Sequence, residues 1–283
     1  MRTADGRTMR TFPVGKNVTA AAATPDLQRI AVANGTRVSL FDGSGRRIRS
    51  FSQPKVVQAV ALSGDQLATG GTDGVVRVWS LAKEAAPREL HGHTKTITDL
   101  AFSPGGHLLA SSSRDATARI WDAASGKLLR VIAQNKNDVN SVAFSPDGRS
   151  LLTASKDADA KIWDVASGSR GQLLRWHFGA VSDAEYSPGG RWIVTTGPTT
   201  LQLWQPGVRE PLFRLGVKGP GGMLAAVFDP ASGRLSAVTR DGRLLTYRCT
   251  ICGGLVKLLP VARTHLSLTG RTLTATERKR YAG

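Results

Sequence analysis

An aromatic residue returns along this chain at a nearly fixed interval. Trp79, Trp121, Trp163 and Trp204 are 42, 42 and 41 residues apart. Phe41 stands 38 residues before the first of them and Tyr247 follows the last by 43. A chain that repeats itself at such a period folds as an array. Each unit is one supersecondary block that cannot bury its apolar face alone, and stacked neighbours make the core.

The clearest unit is LHGHTKTITDLAFSPGGHLLASSSRDATARIWD, from Leu90 to Asp122. Ile97 to Phe102 alternates as a strand does, and Ser103-Pro104-Gly105-Gly106 supplies a turn. Leu108 to Ser112 forms a second strand, a tight turn holds Asp115, and Ala118 to Trp121 forms a third. Gly126 to Ile132 reads as the outer, fourth strand. Four short strands joined by Gly, Pro and Asp turns make one blade of a β-propeller. The expected fold is therefore all-β, with the propeller over residues 7–249.

The Gly92-His93 pair, the Ser-Pro-Gly turn, Asp115 and Trp121-Asp122 resemble the WD-repeat family. That resemblance implies a hydrogen-bonded set of His93, Ser111, Asp115 and Trp121 within the blade. The chemistry is sensible, since a buried indole N–H needs an acceptor and a buried carboxylate needs donors. The set is structural rather than catalytic. The next unit has Asn135 in the histidine place, with Thr153, Asp157 and Trp163. The preceding unit has Gln53 there, with Thr69, Asp73 and Trp79. A further unit keeps His177, Thr195 and Trp204 but has lost the turn Asp. Because its set is complete, Asp115→Ala is expected to be the most destabilising of the turn-Asp changes.

Six aromatic-terminated units predict six blades. Arg7 to Phe12 would lend the outer strand that closes the last one, so that no sheet edge is left open. An incomplete seven-bladed ring is the alternative. Beyond Tyr247 the texture changes to a basic, partly helical tail over 250–283, with a capped helix starting at Thr274-x-x-Glu277. This end resembles the WD-repeat sensor segment of bacterial STAND-type signalling proteins. It has no phosphate-binding loop of the kind an NTPase needs. Cys249 and Cys252 lack the further ligand pair of a zinc site and the βαβ setting of a redox pair, so packed, reduced thiols are expected.

The 283 residues carry 38 Lys and Arg against 21 Asp and Glu, a formal charge of +17. Such an excess favours an acidic partner. No stretch is long and apolar enough to span a membrane, and no secretory signal is evident, so a cytoplasmic protein is expected. Neither a cofactor nor a metal site is predicted.

The repeat register gathers particular basic residues. Lys16, Lys55 and Lys95 precede first strands, while Arg114, Lys156 and Arg240 precede the Asp turn. These six are the candidate partner-binding residues, placed on one face. The leading reading is a non-catalytic scaffold or sensor that binds an acidic protein segment, as a monomer or within a larger assembly. A nucleic-acid reader is the alternative, since phosphates also call for many Lys and Arg contacts. An enzyme with a central-channel site is a third class, but no nucleophile elbow, metal-binding His pair or carboxylate pair supports it.

Overall fold

The computed structural model describes residues 17–133, 135–175, 177–216, 223–229, 234–239 and 244–248. The first sheet comprises β1 (Val18–Ala23), β2 (Arg29–Asn34), β3 (Arg37–Asp42) and β4 (Arg47–Ser52). The second comprises β5 (Val57–Ser63), β6 (Gln66–Gly71), β7 (Val76–Ser80) and β8 (Arg88–Leu90). The third comprises β9 (Ile97–Phe102), β10 (Leu108–Ser113), β11 (Ala118–Asp122) and β12 (Leu128–Ile132). Then come β13 (Val139–Phe144), β14 (Ser150–Ser155), β15 (Ala160–Asp164) and β16 (Arg170–Leu174). The fifth sheet holds β17 (Asp183–Tyr186), β18 (Ile193–Thr196), β19 (Thr200–Trp204) and β20 (Phe213–Gly216). The last described sheet has three strands, β21 (Met223–Asp229), β22 (Arg234–Thr239) and β23 (Leu244–Arg248). Every sheet is an antiparallel meander in chain order. The all-β expectation holds, and no helix occurs among the described residues. Arg7 to Phe12, Lys16, Arg240, Cys249, Cys252 and the 250–283 tail lie outside them.

Strand limits in the third sheet follow the alternation closely, with one correction. Gly126 belongs to a turn and not to the outer strand, which begins at Leu128. There the Gly126 N–H donates to the Asp122 carbonyl at 2.8 Å, with φ at +77°. A left-handed residue of that kind ends a strand.

First strands of successive sheets pack side by side, β1 on β5, β5 on β9, β9 on β13, β13 on β17 and β17 on β21. The apolar core lies between sheets. One cluster joins Val76, Val78 and Leu90 to Ile97, Leu109 and Trp121. Another joins Ala118, Ile120 and Ile132 to Val139, Leu151 and Trp163. Trp204 and Trp79 occupy the same place against the sheets before them. Each tryptophan thus bolts its sheet to the preceding one. Burying ~200 Å² of indole at about 25 cal/mol per Å² is worth roughly 5 kcal/mol before entropy is counted.

Polar side chains stitch the same seams. The Asp99 carboxylate accepts the Val142 N–H at 3.0 Å, Ser141 Oγ accepts the Ala184 N–H at 3.1 Å, and Asp183 accepts the Ala226 N–H at 3.3 Å. The Asn140 amide donates to the Val181 carbonyl at 2.7 Å. On the outer strands, Arg49, Arg88 and Arg130 donate to carbonyls of Ser80, Ala123 and Ala166 in the next sheet. Part of the cationic excess is therefore committed to holding sheets together.

Candidate functional site

The polar set of the third sheet forms as a single directed chain. The Trp121 indole N–H donates to Ser111 Oγ at 2.9 Å, and Ser111 Oγ meets His93 Nε2 at 2.8 Å. The Asp115 carboxylate, 2.8 Å from His93 Nδ1, can only accept, so the imidazole proton sits on Nδ1. The neutral ring then accepts at Nε2, and the Ser111 hydroxyl donates to it. Asp115 also accepts from the Thr94 N–H at 3.1 Å and from the Thr117 N–H at 2.9 Å. Burial pushes the Asp115 carboxyl up, but the bonds from Thr117 and His93 outweigh it and hold it below the usual range. Burial lowers the His93 pKa despite Asp115, so the ring stays neutral. All lone pairs and protons are used internally, which suits a structural lock.

The neighbouring sheets solve the same problem differently. The Trp163 indole donates to Thr153 at 2.9 Å, but Asn135 does not continue the chain to Asp157. Lys161, from β15, reaches in instead. Its ammonium donates to Asp157 Oδ2 at 2.6 Å and to Asn135 Oδ1 at 3.2 Å. In the second sheet Trp79 donates to Thr69 at 3.0 Å and Thr69 to Gln53 Oε1 at 2.7 Å. The Gln53 amide then turns to the Lys55 carbonyl, and Asp73 is held by Arg77 at 2.9 Å. Arg77 and Lys161 occupy equivalent positions, opposite Thr69 and Thr153 and two residues before each tryptophan. That position was absent from the predicted set. A cation recurring two residues before tryptophan was the available signal.

In the fifth sheet Trp204 donates to Thr195 at 2.8 Å and Thr195 meets His177 Nε2 at 2.7 Å. With the turn Asp lost, His177 Nδ1 is buried without a partner. Burial, helped by Arg214, lowers its pKa to about 4.

Two of the predicted basic residues converge. Arg114 and Lys156 line one cavity of about 260 Å³ together with Gln58, Thr98, Asn140 and Ser182. Those four polar residues sit at equivalent positions where four successive first strands begin, so the cavity lies where those strands converge. Lys156 is already paired with Asp138 at 2.6 Å. Arg114 is exposed and has no carboxylate within 4.0 Å among the described residues. Lys55 and Lys95 are exposed on the loops of the same face but do not line the cavity. The structure therefore brings together two of the four predicted cations that lie among the described residues.

Deeper in the array, Asp99 on β9 and Asp183 and Glu185 on β17 are half-buried. Burial pushes Asp99 up to about 7, with Asp183 adding to it. Burial, then Asp183 and Asp99, raises Glu185 well above the usual range. Asp99 and Asp183 occupy equivalent positions, one residue after Thr98 and Ser182 of the cavity lining. Among the described residues no cluster of three or more His, Cys, Asp or Glu is arranged to hold a metal ion, and no helix is long and apolar enough to cross a membrane.

Comparison with known proteins agrees with this architecture. The family described as "WD domain, G-beta repeat" matches residues 45–80, 86–122, 126–164 and 168–205, just over half of the chain. The chain is also similar to the "Anaphase-promoting complex subunit cdh1" of Dictyostelium discoideum, 32% identical over 80 residues. That match covers 26% of this chain and 11% of the relative, so the chain spans about a tenth of the length of the curated relative it matches.

Proposed function

Because the chain belongs to the WD-repeat family, we propose that it is a non-catalytic scaffold or sensor module that binds an acidic protein segment on the face carrying Arg114 and Lys156. The observation that carries this reading is the shared cavity. Two cations at equivalent repeat positions line one polar pocket, and Arg114 has no internal carboxylate to neutralise it. WD-repeat domains typically act as interaction platforms, and the similar protein is named as a subunit of a larger complex. Work within a bacterial signalling or regulatory assembly in the cytoplasm completes the proposal, resting on the likeness of the tail to STAND-type sensor segments.

A six-bladed ring is part of the same proposal. Six sheets are present among the described residues, and the sixth has three strands. Residues 7–12 are the expected fourth.

Affinity capture from native lysate, with and without nuclease, tests the function. The reading expects acidic proteins retained after nuclease and lost with Lys95→Glu combined with Arg114→Glu. Retention that disappears with nuclease and falls steeply with salt would establish nucleic acid as the partner instead.

A further inference from the structure

Phe178 is 80% exposed, the most exposed large apolar side chain among the described residues. Chain slack does not account for it. The residue before it, His177, is 7% exposed and bonded to Thr195. Three residues on, the Val181 N–H donates to the Ser155 carbonyl at 3.0 Å, and the Ser182 N–H donates to Thr196 at 2.7 Å. The short loop between is pinned at both ends, and at Gly179 it lies against Pro198. The repeat does not ask for an aromatic here either. The equivalent positions in the preceding sheets are Pro54, Thr94 and Lys136, one residue after Gln53, His93 and Asn135.

The location matters as much as the exposure. Ala180 and Ser182 line the cavity with Arg114 and Lys156. Ser155, which accepts the Val181 N–H, is the residue before Lys156. Phe178 is two residues along the chain from Ala180 at the cavity rim, about 7 Å at most. An exposed aromatic and an arginine without a carboxylate partner are both residue types enriched in protein interfaces.

We infer that this rim binds an acidic peptide segment that also carries a large apolar residue, its apolar side chain packing on Phe178 while a carboxylate enters the cavity and pairs with Arg114. The inference rests on the reading of this face as a site for an acidic partner, and adds the anchor. In an extended peptide successive residues advance about 3.3 Å. The roughly 7 Å of chain between Phe178 and the cavity wall corresponds to about two such steps, so the proposed partner carries its apolar and acidic residues one to three positions apart. Lys156 contributes less than Arg114, because Asp138 already neutralises it.

Selection of random displayed heptapeptides on the full chain tests this directly, followed by fluorescence polarisation of a labelled enriched peptide. The expected pool pairs Asp or Glu with a large apolar residue one to three positions away. Phe178→Ala then weakens binding about tenfold, Phe178→Leu restores most of it, and Arg114→Ala weakens it by a similar factor, with melting temperatures unchanged. Acidic peptides that bind equally well to Phe178→Ala would overturn the anchor and leave the acidic-partner reading standing. A pool without acidic enrichment would overturn both.

Discussion

The Lys161 ammonium lies 2.6 Å from the Asp157 carboxylate, and both side chains are less than a tenth exposed. This buried ion pair stands where the third sheet uses a neutral His93 between Ser111 and Asp115. The repeat thus carries two electrically different locks in adjacent sheets, and they should fail differently.

Asp157→Ala strands a buried ammonium, with Asp159 4.0 Å away as its nearest remaining carboxylate. Breaking one side of a buried pair costs about 3–5 kcal/mol. Asp115→Ala leaves the neutral His93 Nδ1–H only Thr117 Oγ1, 3.2 Å away, as an acceptor, a loss of about 1–3 kcal/mol. The structure therefore ranks Asp157→Ala above Asp115→Ala, although the complete set marks Asp115 from sequence. Asp73→Ala should be mildest, because Arg77 keeps Glu89 at 2.8 Å. Denaturant unfolding of the three variants checks the order, and Lys161→Met should recover much of the loss in Asp157→Ala.

Gly70 makes room for a neighbour. A Cβ there would collide with Ile97 Cγ2 in the next sheet. Gly70→Ala should cost about 1–3 kcal/mol by overpacking. Valine keeps the Cβ and Cγ2 that crowd this position, so Ile97→Val should not restore the stability, whereas Gly70→Ala should cost less in an Ile97→Ala background. Thermal melting of the single and double variants reads the compensation.

How much of this was legible in the chain depends on distance along it. The tryptophans and their hydroxyl partners Thr69, Ser111, Thr153 and Thr195 lie nine or ten residues apart within one hairpin, so spacing alone found them. Gln53 was placed correctly beside Thr69, but spacing could not tell that its amide turns to Lys55 rather than to Asp73. Spacing does not single out Lys161, because its position carries Arg77 and Arg119 in the two preceding repeats and Gln202 in the next, and no resemblance assigns it a role. Contacts between sheets, such as Asp99 with Val142 or Arg130 with Ala166, join residues 43 and 36 apart and show no pattern within one repeat. Of the basic face, register could assign residues to loops, but only packing decides which of them reach the cavity.

The carboxyls of the interior give stability a dependence on pH. Asp99 has a folded pKa of about 7, above its ordinary 3.8, so the folded state binds the extra proton. Its contribution is complete below pH 4 and is lost as pH rises through 7. Asp99→Asn should therefore flatten the decline in unfolding free energy between about pH 4 and 7, measured by urea titration at each pH.

His177 acts with the opposite sign. Its folded pKa of about 4 lies below the ordinary 6.5, so the unfolded chain binds more protons between those values. Stability from this residue is present above pH 6.5 and is lost as pH falls toward 4. His177→Gln, which copies the Gln53–Thr69 arrangement of the second sheet, should reduce the slope of that acid limb. Unfolding midpoints measured from pH 4 to 6.5 provide the comparison.

The central claim is that the tryptophan-centred locks hold the array while Arg114 and Lys156 give it a use. Isothermal titration of poly-L-glutamate into the protein and into its Arg114→Ala/Lys156→Ala variant, each melted in parallel, tests it most directly. The account predicts binding to the unaltered chain, at least a tenfold loss in the variant, and the same melting temperature for both. Equal affinity in the two proteins, with folding intact, would contradict it.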